Sequence, residues 1–149
     1  MELEQAKRLL EKDLLESPDN RALCPCCLRK IGIYKHQINP DKARFLIHFY
    51  QEYEQEWGNS QKVRRQWPGL DKRDQGKLRY WQLFEPQGSP RSNSWRITDL
   101  GVAYILKEIA VPKYVYSLNN EVVKHEGQDL FISDVLAPKY KYEDFVRDL

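Results

Sequence analysis

Two groups of residues in this 149-residue chain can do chemistry: the thiols of Cys24-Pro25-Cys26-Cys27 and the cations gathered between Lys62 and Arg96. Cys24 and Cys27 have the spacing of a zinc knuckle, because two thiolates on a tight turn both reach one tetrahedral ion at about 2.3 Å. A knuckle supplies only two ligands, whereas a closed structural site needs four. His36 and His48 are the candidates to complete it, at separations that match no standard finger, and an ion shared across a homodimer is the other route. The expectation is zinc at Cys24 and Cys27, with free thiols as the alternative. A thioredoxin-like redox role is disfavoured, since no βαβ pattern surrounds the motif.

Residues 60–96 hold nine cations, Lys62, Arg64, Arg65, Lys72, Arg73, Lys77, Arg79, Arg91 and Arg96, against Asp71, Asp74 and Glu85. That segment carries +6 in a chain whose net charge is +2. Cations concentrated in this way suit nucleic-acid phosphates. On this reading Lys62, Arg64, Arg65 and Arg91 hold the backbone, with Arg73 and Lys77 beside them, while Lys72, Gln75 and Arg79 approach base edges. Gln pairs with adenine and Arg with guanine through two hydrogen bonds each. Tyr80 is placed to stack on a base and Trp81 to enter the core. The plainer interpretation is a solvated basic face, common on proteins that never touch nucleic acid.

Positioning these groups requires particular elements. Asp71 can cap a helix beginning near Lys72, in which Leu78 and Trp81 face a core while Lys72, Gln75 and Arg79 lie on the other side. Leu83-Phe84-Glu85 and Trp95-Arg96-Ile97 read as short strands joined by the Gly/Pro/Ser-rich stretch 86–94, which resists regular structure. A basic helix followed by such a hairpin is the plan of a winged helix. Its first core helix is set by Asn39 as cap and Pro40 at the first position, with Ala43, Leu46, Ile47, Tyr50, Tyr53 and Trp57 on one face and Gly58 as a left-handed stop. Between Gly58 and Leu70 either a short helix capped by Ser60 or a strand through Val63–Trp67 fits. Thr98 caps a further helix running to Ile109. Tyr114–Leu118 and Glu121–Lys124 form a hairpin around Asn119-Asn120, and Ile132–Leu149 makes one or two short helices broken at Pro138.

The expected fold is therefore α+β, a winged helix-turn-helix-like core with an N-terminal helix and a C-terminal hairpin and helical extension. Its divisions are an amphipathic helix in 1–20, a cysteine knuckle in 21–38, the winged-helix-like domain in 39–110 and the hairpin and helical tail in 111–149. No apolar run approaches the eighteen or so residues that cross a bilayer, and the N-terminus has no signal-peptide core, so a cytoplasmic location is expected. Three cysteines, an odd number, fit a reducing compartment. Phosphate loops, nucleophile elbows and metalloprotease motifs are absent, so no catalytic residue is assigned and the chain is read as a non-enzyme.

CPCC followed by KIGIYKHQIN, then KLRYWQLFE, SWRITDLG and VPKYVYSLNNEVV, resembles a family of small proteins found largely in bacteriophages and in bacterial genomes carrying phage genes. The resemblance spans roughly residues 24–149, through Cys24, Pro25 and Cys27 and the run Lys77–Trp81. Where relatives place Gly-Leu-Ile after the Trp, this chain has Gln82-Leu83-Phe84. The resemblance implies a phage setting, hence the host cytoplasm, and a winged-helix-like core; it implies no activity. Two functions follow as expectations. The first is a regulatory or accessory protein, such as a transcription regulator, that binds double-stranded DNA. The second is a module that docks on and inhibits a host defence protein, using its acidic N-terminal helix and its acidic, Tyr-rich tail.

Overall fold

The computed structural model describes residues 21–23, 30–70 and 73–146, together with Glu4, Gln5, Arg8, Leu9 and Lys12. Those five are helical and their side chains exposed, while the predicted apolar face of that helix lies outside the described residues. The same holds for Cys24, Cys27, Asp71 and Lys72, so the expected zinc ligands, the expected cap and one expected base reader fall outside them. No helix among the described residues is long and apolar enough to cross a membrane.

The architecture is mixed α+β, and its centre is α1, Pro40–Tyr53. Asn39 caps it as expected, its Oδ1 accepting the Lys42 amide at 2.8 Å while Pro40 takes the first turn. Phe45, Leu46, Ile47 and Phe49 bury completely along this helix. The helix stops earlier than the periodicity suggests, at Glu54, which adopts φ 53°. Gly58 is thus not a left-handed stop. It lies in β4, Gly58–Asn59, where a Cβ would stand 2.2 Å from the Tyr53 ring, so the position demands glycine for space.

The ambiguous stretch after Gly58 holds the helix, and the strand through Val63–Trp67 is corrected, since Val63 to Gln66 are helical. β4 leads directly into α2, Ser60–Gln66, capped by Asn59 rather than Ser60. Next come a 3₁₀ helix, Arg73–Trp81, and the strands β5, Phe84–Pro86, and β6, Ser94–Ile97. These strands form an antiparallel sheet in the order β4-β6-β5. Phe84 of β5 stacks on Trp95 of β6 at 4.8 Å and meets the edges of Phe45 and Phe49, which fastens the sheet to α1. Gln82 turns the chain from the 3₁₀ helix into β5 at φ 60°, a conformation costly for a residue with a Cβ.

α3, Asp99–Ile105, begins where predicted, Thr98 Oγ1 accepting the Gly101 amide at 3.0 Å, but ends four residues before Ile109, with Lys107 at φ 61°. The hairpin β7, Val111–Leu118, and β8, Glu121–Leu130, turns through Asn119 and Asn120 at φ 51° and 66°. Two consecutive left-handed residues match the twist that a two-residue hairpin needs. β3, Tyr34–Gln37, pairs with β7, giving a second sheet in the order β3-β7-β8, and β1, Arg21–Leu23, pairs with β2, Lys30–Gly32. Two short helices close the chain, α4, Ile132–Leu136, and α5, Glu143–Val146. Val111, Val115, Ile132, Val135 and Leu136 join the same core as α1, so residues on both sides of position 110 share one interior.

Two consequences are measurable. A Cβ on Gly101 would lie 2.2 Å from the Leu83 carbonyl oxygen, a backbone atom that cannot swing aside. Gly101→Ala should lower stability by about 1–3 kcal/mol, the range for overpacking, as a clear drop in Tm by circular dichroism. The second concerns His48, buried on α1 and stacked on Trp67 at 3.8 Å. Burial holds its pKa below the ordinary 6.5, with Arg44 adding to the effect and a hydrogen bond with Gln51 opposing it. The unfolded chain then binds the extra proton first, so stability is full above about 6.5 and falls as pH drops from there through the folded value. Melts between about pH 7 and 5 should show a steeper acid loss for the native protein than for His48→Phe.

Candidate nucleic-acid interface

The 3₁₀ geometry decides which side chains of residues 73–81 reach solvent. With three residues per turn, positions i and i+3 lie over one another. Gln75, Leu78 and Trp81 therefore form one row, and all three are buried. Gln75 Nε2 donates to the Leu70 carbonyl at 3.0 Å, and Trp81 Nε1 donates to the Pro112 carbonyl at 2.7 Å. The burial of Leu78 and Trp81 agrees with the sequence; that of Gln75 does not. Its assignment as a base reader is corrected: the amide is 4% exposed and part of the packing. Side-chain bonds to nearby carbonyls, together with Gly76, compete with the α-helical ladder and help to explain the tighter winding.

Arg79 is likewise corrected. Its guanidinium donates to the Gly76 carbonyl at 2.7 Å, to Tyr80 Oη at 2.8 Å and to Asn120 Oδ1 at 3.3 Å, and lies 4.4 Å from the Tyr80 ring centre. Tyr80 in turn donates to Asn120 at 3.2 Å and stacks on His36 at 4.7 Å, leaving it 8% exposed. It is a core residue and not a stacking platform. Arg79 and Tyr80 clamp the 3₁₀ helix to the turn of the β7–β8 hairpin, a partner 40 residues away that no local pattern announces. Lys77 is half-buried at a depression of about 520 Å³ that it shares with Tyr34, His36, Ser117 and Asn120. Arg73 lies in the 3₁₀ helix, and its side chain is outside the described residues.

The remaining described cations sit on α2, on the loop between β5 and β6, and on β6 itself. Asn59 Oδ1 accepts the Lys62 amide at 3.1 Å, and the Ser60 amide donates to the Asn93 carbonyl at 2.8 Å, tying the start of α2 to that loop. Val63 faces inward, so Lys62 and Arg65 point to solvent and Arg64 is half-buried. Lys62 Nζ pairs with Glu52 at 3.0 Å, and that hydrogen-bonded carboxylate raises its pKa above the ordinary lysine value. Arg96 pairs with the cross-strand Glu85 through two nitrogens and covers the Trp57 ring at 4.5 Å. Arg91 is exposed in the loop, which closes on itself through Gln87 N to Ser94 O at 2.8 Å, Ser92 N to Ser89 O at 2.9 Å and Trp95 Nε1 to Ser92 O at 2.8 Å.

Between α2, the 3₁₀ helix and this loop lies a cleft of about 570 Å³ whose lining includes Ser60, Arg64, Gln75, Arg91, Asn93 and Trp95 and, among the described residues, no carboxylate. Sequence reasoning missed Ser60 and Asn93 as its walls and Glu52 as the counter-charge of Lys62. The Asn59 cap was the one local signal for where α2 begins. Gln75 Oε1 has no hydrogen-bond partner, an arrangement that costs about 1–3 kcal/mol for a buried acceptor.

His36 and His48, the expected supplementary zinc ligands, are committed elsewhere. His36 Nε2 shares a hydrogen bond of 2.7 Å with Ser117 Oγ, and His48 Nδ1 one of 3.1 Å with Gln51 Oε1. No group of three or more His, Cys, Asp or Glu side chains that could hold a metal ion occurs among the described residues. Comparison with known proteins adds no relative: no family model matches the chain, and neither a curated protein nor a solved structure matches it.

The clamp gives a direct expectation. Arg79→Ala removes three donated bonds and a cation–π contact, so it should lower Tm while leaving the relative affinities for different DNA sequences unchanged. A mutant of unaltered Tm that loses guanine preference would restore Arg79 as a base reader.

Proposed function

We propose that residues 40–97 are a winged-helix unit that binds double-stranded DNA by its phosphates, in a regulatory or accessory and non-catalytic role, with α2 and the β5–β6 loop as the contact surface. The order α1, β4, α2, 3₁₀ helix, β5, loop, β6, with strand order β4-β6-β5, supports the winged-helix reading. In it the loop 87–93 is the wing and residues 73–81 occupy the place of the recognition helix. The observation that carries the proposal is the cleft flanked by Arg64 and Arg91, without a carboxylate among the described residues of its lining, and the exposed Arg65 on α2. Guanidinium groups so grouped suit phosphate oxygens, which they bind in pairs.

This differs from the expectation in one respect. With Gln75 and Arg79 committed to the interior, base reading from residues 73–81 is set aside, and affinity comes from charge and from the shape of the duplex. Lys62 contributes less than a full cation because Glu52 already neutralises it.

An electrophoretic binding assay across a salt series, on protein freed of nucleic acid, tests the proposal. Arg65→Ala and Arg91→Ala should each weaken binding to every duplex and flatten the log–log salt slope by about 0.9 for each phosphate no longer neutralised. Both residues are exposed, so stability should shift by no more than about 0.5 kcal/mol. Absence of salt-sensitive binding near about 50 mM salt would overturn the proposal and leave docking on a host protein as the reading to pursue.

A further inference from the structure

His48 is enclosed on α1 by two rings from different parts of the chain. Trp67, at the end of α2, lies flat against it at 3.8 Å, and Phe145 of α5 meets it edge-on at 5.8 Å, with the planes 75° apart. Gln51 joins the same imidazole to α5 a second time. Its Nε2 donates to the Phe145 carbonyl at 3.3 Å, so its Oε1 is the end that faces His48 Nδ1 at 3.1 Å. An amide oxygen only accepts, and Nδ1 therefore carries the hydrogen of the neutral ring while Nε2 is bare. A proton taken up from water goes to Nε2, which meets no hydrogen-bond acceptor among the described residues. Arg44, one turn earlier on α1, sets a like charge beside it.

The two covers respond differently to that charge. Trp67 presents the face of an indole, which attracts an imidazolium. Phe145 offers burial alone, and no ion pair reaches His48 from its surroundings: Glu143 and Asp144 of α5 are exposed, Glu52 on α1 is paired with Lys62, and residues 67–70 carry no charge. The chain before α5 is fastened without His48, since Arg44 donates to Tyr140 Oη at 2.6 Å and Tyr142 Oη donates to the Ile105 carbonyl at 2.8 Å. The part free to leave is thus the single turn that carries Phe145, and its departure lets water reach Nε2. We propose that His48 is an acid-operated latch for the C-terminal helix: a proton taken up at Nε2 releases Glu143–Val146 from α1 while Trp67 and the core stay in place. The latch is independent of whether the chain binds DNA. Enclosure, chiefly by desolvation, holds the His48 pKa below its ordinary 6.5, and the released ring regains that value. Each pH unit below about 6.5 therefore favours release by up to about tenfold, until the enclosed ring itself titrates.

Amide hydrogen exchange followed by NMR on the full chain, corrected for the intrinsic pH dependence of exchange, tests the latch. The Phe145 and Val146 amides both donate to the Tyr142 carbonyl, and their protection should fall by up to about tenfold between about pH 7 and 5.5. At both pH values it should lie below that of the Ile47 and Phe49 amides in the middle of α1, which marks the release as local. His48→Phe should remove the fall. The reciprocal measurement is the titration of the His48 ring itself. Phe145→Ala, at a half-buried position, should move its midpoint up toward 6.5, and this decides the matter if His48→Phe does not fold. Protection of Phe145 and Val146 that does not change with pH, or a fall that persists in His48→Phe, overturns the latch, as does a His48 midpoint that Phe145→Ala leaves where it was. Protection equal to that of Ile47 at both pH values, the mark of exchange through global unfolding alone, overturns it too.

Discussion

The structure depends on how the 3₁₀ helix is seated between its two sheets. Its inner row, Gln75, Leu78 and Trp81, is buried, and Trp81 reaches across to the Pro112 carbonyl of β7. From the same helix Arg79 and Tyr80 grip Asn120 at the far end of that strand. Two points of attachment, at the start of β7 and at the hairpin turn, fix the orientation of the C-terminal hairpin against the rest of the protein. The sheet β4-β6-β5 is held from the other side, through Phe84 and its contacts with α1. A nine-residue helix thus joins elements that lie far apart in sequence.

Much of this frame is legible in the chain because it is specified locally. Asn39-Pro40 and Thr98 act within one turn of themselves, and Asn119-Asn120 tolerate the positive φ that the hairpin requires. Leu78 and Trp81 belong to the core on either helical period, and that agreement hides the difference next to them. Their spacing of three is compatible with 3.6 or with 3.0 residues per turn, and over the six residues from Gln75 to Trp81 the two periods diverge by about a third of a turn. That divergence moves Gln75 from the outer face to the inner row. Arg79 differs for another reason, since its partner Asn120 is 41 residues away and proximity of that kind exists only in the folded chain.

The same non-locality governs the charges. A count along residues 60–96 treats Lys62 and Arg96 as two cations available to a polyanion, yet Glu52 and Glu85 neutralise them in the fold. Arg65 and Arg91 are exposed, one on α2 and the other on the wing. Fewer of the segment's described cations are therefore available to a polyanion than the sequence suggests. Electrostatic attraction depends on the local distribution of charge more than on total charge.

The long strand β8 has a bearing on how the protein behaves in a concentrated solution. It forms one border of the β3-β7-β8 sheet and is exposed along almost its whole length, which leaves a row of backbone groups facing outward. Such a border is a template on which a neighbouring chain can add a strand and begin a fibril. Here Glu121, Lys124, Glu126 and Asp129 interrupt it with charge, and Gly127 at φ 86° bends it out of line. A segment of ten residues that would otherwise invite intermolecular growth is thereby made a poor surface for it.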